Sequence, residues 1–235
     1  MGKTSKKQEI LQSYLTLPEI KIEYATIFIE GTSPLVMKPF SIDSIEDIEK
    51  KETTPKNEQP KKKEYKVKVP YEIFGNSFYW ITQKPVIKTE QDWLNALKEK
   101  PKFGFQVGGI RESALNGALR AGKIPNLVSG RAYFFIENAV TDTLYGMPVV
   151  EILYKNPPIM RKDCLDTYNS GASMTYRSMF MDWSIKLDVS YLSELINIET
   201  IMYWFELGGF GVGLGEYRNE KGGSWGSYRI SRTLS

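Results

Sequence analysis

The chain has 235 residues, 41% hydrophobic and 25% charged, values typical of a soluble globular protein with one large domain or two small ones. It contains no His and a single Cys, Cys164, which excludes a Ser–His–Asp triad, a Cys–His pair, His-ligated zinc and an internal disulfide. Net charge is only +3 but uneven, because residues 50–68 hold eight Lys and three Glu and leave the remainder slightly acidic.

Residues 1–18 are polar and basic and predict a flexible leader ahead of one domain over 19–235. They lack the apolar stretch of a signal peptide, and Lys6 stands where a myristoylation pattern requires Ser or Thr. No apolar run reaches bilayer length, so the expectation is a soluble cytoplasmic protein without membrane contact. Residues 20–30 read as a strand. Their alternation runs Ile20, Ile22, Tyr24 and then changes phase to Ala25, Ile27, Ile29, predicting a bulge or a strand buried on both faces. Leu35-Val36-Met37 reads as a brief resumption of that strand. Residues 38–68 form a long insertion with a short acidic helix near 41–51 and a Lys-rich arm.

Residues 65–81 look strand-like, broken at Gly75-Asn76. A helix is expected over 89–100 through Trp93, Leu94 and Leu97, stopped by Pro101. Another follows Gly108-Gly109, with Ile110, Ala114, Leu115, Ala118 and Leu119 on one face of small residues and Gly122 at its C-terminal cap. Segments 131–136 and 148–154 are strand candidates, and 160–179 reads as a long polar hairpin or loop. Residues 183–189 alternate cleanly as a half-exposed strand. Asn197 is an N-cap for a helix with Ile198, Ile201, Met202 and Phe205 on one face, ended by Gly208-Gly209. A last strand is expected over 227–231.

The segment 208–228 carries eight glycines with interleaved cations and aromatics. Gly211, Gly213 and Gly215 echo a dinucleotide fingerprint only superficially, since they follow a helix and lead into a strand. Either the glycines serve a turn with positive φ, or they bring backbone N–H groups to a phosphate backbone, with Arg218 and Lys221 as cations and Tyr217 and Trp225 as stacking faces. So many glycines exceed the needs of one turn, which favours the second reading.

Helix, G-x-G, a short basic stretch, G-x-x-G at Gly222-Gly223 onward and a final strand resemble the glycine-rich loop of the RAMP superfamily, the ferredoxin-like RNA-binding proteins of CRISPR systems. Ile29-Glu30-Gly31-Thr32-Ser33-Pro34-Leu35 resembles the first-strand exit of its backbone subunits. Residues 110–120 resemble their "I-P-x-S-S-L-K-G-A-L-R" helix, departing at Arg111 and Asn116. The closing segment is also similar to stand-alone bacteriophage proteins with "G-F-G-V-G-x-G-E-aromatic". The resemblance implies an α+β, ferredoxin-like (RRM/RAMP-like) antiparallel sheet with helices on one face and long insertions, of which 160–179 would be a thumb-like hairpin. It implies a partner in single-stranded RNA or DNA and self-association into a filament or ring. The expected contacts are Arg111, Arg120, Lys123, Arg161, Lys162, Arg177, Tyr217, Arg218, Lys221, Trp225 and glycines 211, 213, 215, 222 and 223. No cofactor or metal is expected. Asp43 and Asp47 are the only candidates for the metal-dependent ribonuclease chemistry of some relatives, and acidic residues there read more simply as helix-start or solvent-facing groups. A non-catalytic binder is therefore expected, with a structural assembly protein as the competing class.

Overall fold

A computed structural model describes residues 19–40, 42–55, 67–167 and 171–232, so the basic leader and most of the Lys-rich arm lie outside the described residues. The described chain is a mixed α/β protein with a mostly antiparallel sheet and six α-helices. Among the described residues no helix is long and apolar enough to cross a membrane.

Strand β1 (Ile22–Gly31) pairs without interruption with β10 (Trp183–Leu192), from Ile22↔Leu192 to Glu30↔Ser184. The phase change in its sequence is therefore not a bulge. Ile27 and Ile29 form the buried row, while Ile20, Ile22 and Tyr24 belong to the outer row and stay exposed. The main sheet runs β11 (Tyr228–Ile230), β1, β10, β7 (Pro148–Tyr154), β4 (Phe103–Gln106), β3 (Tyr79–Trp80), every neighbouring pair antiparallel. Strands β5 (Phe134–Ile136) and β6 (Val140–Thr141) join it beside β10 and β7. Only the end of the expected 131–136 strand is extended, since Leu127–Arg131 is a short helix, α5, capped by Asn126.

Two longer helices, α4 (Val107–Arg120) and α6 (Ile198–Gly211), cover one face of this sheet. Ala114, Leu115 and Ala118 of α4 and Ile201, Trp204 and Phe205 of α6 join Ile27, Ile29, Ile185, Leu187 and Val189 in one core. At roughly 1.5–3 kcal/mol per fully buried large apolar side chain, this layer is the main source of stability. Asn197 caps α6 as expected, its Oδ1 accepting the Thr200 N–H at 2.9 Å. Gly208-Gly209 does not end that helix. Both residues lie within it, because a Cβ on Gly208 would stand 2.6 Å from the Ser113 carbonyl oxygen of α4.

Segment 65–81 is corrected too. Pro70–Gly75 is a short helix, α2, with Pro at its start. It buries Phe74 with Phe78, Trp80, Phe103 and Trp93 of α3 (Glu90–Lys98), with Phe78 and Phe103 stacked at 4.4 Å. Aromatic residues that suit a strand here serve a cluster under the sheet edge. Likewise Leu35–Met37 is not a continuation of β1. As β2 it turns away at Pro34 and pairs with β9 (Gly171–Phe180), which pairs with β8 (Ile159–Thr167) in a second, three-stranded sheet. The 160–179 segment is thus a hairpin. The acidic helix of the insertion is α1 (Ile42–Thr53).

Candidate nucleic-acid interface

Beyond α6 the chain folds on itself. The Val212 and Gly213 N–H groups both reach the Gly208 carbonyl, at 2.9 and 2.8 Å. The Leu214 N–H donates to Gly226, the Glu216 N–H to Val36 of β2 and the Gly226 N–H to Pro34, each at 2.8 Å. Gly213, Gly215, Gly222 and Gly226 have positive φ. A Cβ on Gly223 would lie 2.7 Å from the Tyr217 Cα, and one on Gly226 2.8 Å from the Leu214 carbonyl carbon. Most of these glycines let backbone approach backbone; Gly211 and Gly222 alone among the loop's glycines have open space where a Cβ would be. The N–H groups of Gly213, Leu214, Glu216, Gly222, Gly223 and Gly226 are spent inside the protein rather than held ready for a phosphate.

The hairpin docks onto this loop. Arg177, with a side chain 7% exposed, pairs with Asp163 at 2.8 Å and with Glu216 of the loop. Arg161 pairs with the other oxygen of Asp163 at 2.8 Å. Its guanidinium lies 3.9 Å from the centre of the Trp225 ring, and that of Arg177 lies 5.1 Å from Tyr217. Tyr217 and Trp225 meet edge to face at 5.3 Å. The Trp225 face expected to stack on a base therefore carries Arg161. Arg218 is held by Glu220 at 2.7 Å and by the Gly215 carbonyl, and Arg120 ties the end of α4 to the same Glu220 at 2.6 Å. Burial opposes ionisation of Glu220, but the hydrogen bond and charge of Arg218, with Arg120 and Lys221, hold its pKa below the ordinary value.

A groove runs over the loop. Its inner part, about 320 Å³, lies between α4, the end of β2 and the loop; its outer part, about 280 Å³, lies between the loop and Arg177 of the hairpin. The two share Gly215, Glu216 and Arg218 and so adjoin across the loop. Of the expected residues, the groove gathers Arg177, Tyr217, Arg218, Lys221, Gly213 and Gly215. Arg161, Trp225, Arg120 and Gly223 brace it from behind.

The others lie elsewhere or apart. Arg111 donates to the Arg131 carbonyl and covers Phe135 at 4.5 Å, and burial lowers its pKa. Lys123 lies over Tyr203 of α6 at 5.9 Å. Lys162 is exposed on the hairpin, and Gly211 sits at the end of α6.

Sequence reasoning missed Lys38, Tyr79, Gln106 and Asn116, all of which line the inner groove. Lys38 follows directly on the buried Leu35-Val36-Met37 strand, the one signal that could have placed it. Burial lowers its pKa, with Arg177 and Lys68 adding to the effect and Glu216 opposing it. Among the described residues neither Lys38 nor Lys221 has an ion-pair partner, although Glu216 acts on the charge of the first and the charge of the second acts on Glu220. Among the described residues Lys68 donates only to uncharged acceptors on the hairpin, Ser173 Oγ at 2.7 Å and the Met174 carbonyl at 2.9 Å. No described group of three or more His, Cys, Asp or Glu side chains could hold a metal ion.

The sequence matches no family model and no curated protein.

Proposed function

We propose that this chain is a non-catalytic, single-stranded nucleic-acid-binding protein on a ferredoxin-like core, and that the strand crosses the groove over the glycine-rich loop. The core reading is supported by the order β11–β1–β10–β7, with α4 between β1 and β7 in the chain and α6 between β10 and β11. The binding reading rests above all on one observation. Lys38 and Lys221 stand at the two adjoining parts of the groove, and among the described residues neither ammonium group is locked in an ion pair, although Glu216 and Glu220 lie within electrostatic reach. Ammonium groups outside any ion pair beside an open depression favour a polyanion. The resemblance of the loop, the first-strand exit and α4 to RAMP proteins agrees, and filament or ring formation along the strand belongs to the same reading.

The test is fluorescence anisotropy with a labelled single strand across a salt series. Binding should weaken linearly on a log–log plot, by a slope of about −0.7 per phosphate contacted. A Lys38→Ala/Lys221→Ala variant should flatten the slope by about 1.4 if each lysine holds one phosphate. Absent or salt-independent binding refutes the proposal and leaves an assembly role. Cleavage of the strand in Mg²⁺ or Mn²⁺ would refute the non-catalytic part.

A further inference from the structure

The inner part of the groove is unlike the outer part. Its walls include Phe105, Val212 and Leu214, each at most 8% exposed, and its rim is polar. Three carboxylates, those of Glu112, Glu216 and Glu220, line it against only Lys38 and Arg218. A phosphate would meet acceptors on most sides there, so an anion is the wrong tenant. A neutral, flat group with a hydrogen-bonding edge suits it better. Its volume, about 320 Å³, is near the lower end for small-molecule pockets and fits one ring system rather than a whole oligonucleotide.

Several polar groups in this part have hydrogen-bonding capacity left over. Among the described residues, none hydrogen-bonds the Gln106 side-chain amide or the Tyr79 hydroxyl. Asn116 uses its Nδ2 on the Glu112 carbonyl at 2.8 Å, which leaves Oδ1 as an acceptor. Glu112 accepts from Arg131 through Oε1 at 2.6 Å and keeps its second oxygen. Tyr79 stays a neutral donor, since burial and the nearby Asp142 push its pKa up to about 12. Polar groups beside a cavity with unused bonds mark a place for a ligand edge or for water.

We infer that the inner cavity receives one unstacked nucleobase of the bound strand, its edge met by Gln106, Asn116 and Glu112, while its phosphate stays outside near Lys38 and Lys221. This rests on the binding reading above. The Gln106 and Asn116 amides can each donate or accept, but the free oxygen of Glu112 can only accept, so a base with an exocyclic amino group is preferred to thymine or uracil. Glu112 and Asn116 Oδ1 can accept from such an amino group, whereas the carbonyl of thymine at the same edge position faces carboxylate oxygen.

The discriminating comparison is oligo(dC) against oligo(dT) of equal length, because the two pyrimidines differ at that edge position. The intact protein should bind oligo(dC) about tenfold more tightly, within the range expected for good base-edge contacts. Glu112→Gln/Asn116→Ala, which replaces the acceptor-only carboxylate and removes Asn116 Oδ1, should bring the two affinities within about twofold while the salt slope is unchanged, since base contacts and phosphate contacts are separate. Equal affinity of the intact protein for both strands overturns the base cavity and leaves the groove standing. A preference that survives in the variant also overturns it. Binding to neither strand would instead remove the binding reading itself.

Discussion

Gly117→Ala is the sharpest test of how α4 and α6 meet. On a free helix the change would gain about 1 kcal/mol. Here the new Cβ would stand 2.6 Å from the Leu207 carbonyl carbon and 2.7 Å from the Gly208 Cα. That is about 1 Å inside the ordinary separation of carbon atoms. The atoms in the way are backbone, so no side chain can swing aside and the two helices must part by a similar amount. With rigid backbone in the way, the cost lies in the upper part of the range for overpacking, about 2–3 kcal/mol, which leaves a net loss of about 1–2 kcal/mol. For a chain of this size the expected fall in Tm is about 2–8 °C. Gly211→Ala is the control. It makes the same chemical change at the end of α6, where nothing lies within 4 Å of the new atom, and should gain up to about 1 kcal/mol, or 1–4 °C. Differential scanning calorimetry of both variants separates the two signs. A Gly117→Ala variant as stable as the parent would mean that the helices do not approach as closely as described.

Arg177→Met should lower stability by about 1–3 kcal/mol, because it leaves the part-buried Asp163 its pair with Arg161 alone and Glu216 without its partner. Adding Asp163→Asn and Glu216→Gln should restore most of the loss in chemical denaturation, and failure to do so would mean that the cation is not what pins the hairpin. Alkaline titration should reveal the buried phenols. Burial raises the pKa of Tyr79 to about 12 and raises those of Tyr145 and Tyr228 as well. A folded-state pKa above the unfolded value near 10 means that this stability is fully present below about pH 10 and is lost as pH rises through the folded values. Phenolate absorbance and near-ultraviolet circular dichroism should therefore show late tyrosines ionising together with loss of tertiary structure. Titration of all 14 tyrosines near pH 10 in a folded protein would refute this.

Much of the scaffold was legible from periodicity. Strands β7 and β10, helices α3 and α4 and the Asn197 cap all follow from local alternation, helical spacing and capping chemistry. The misread stretches are those where a distant neighbour decides. The aromatic run before Ile81 satisfies strand and helix preferences alike, and the cluster with Trp93 and Phe103 selects helix for Pro70–Gly75. Gly208-Gly209 looks like a terminator because glycine is a poor helix former, yet close contact with Ser113 and Tyr228 makes any larger residue impossible there.

The site shows a similar limit, with a chemical logic behind it. Sequence favours arginine as the residue for phosphate, and five of the expected contacts are arginines. A planar guanidinium with several donors also suits fixed carboxylates and aromatic faces. Arg120, Arg161, Arg177 and Arg218 each take a carboxylate, and Arg161 and Arg177 take an aromatic face as well. Arg111 lies over Phe135. These arginines build and fasten the hairpin, loop and helix α4. The groove's cations outside described ion pairs are instead Lys38 and Lys221, which local pattern alone could not distinguish from the chain's other lysines. Removing an arginine should therefore show first as lost stability, and removing these lysines first as lost salt dependence. The Arg177 and Lys38/Lys221 variants together decide whether fastening and binding are divided between the two cations in this way.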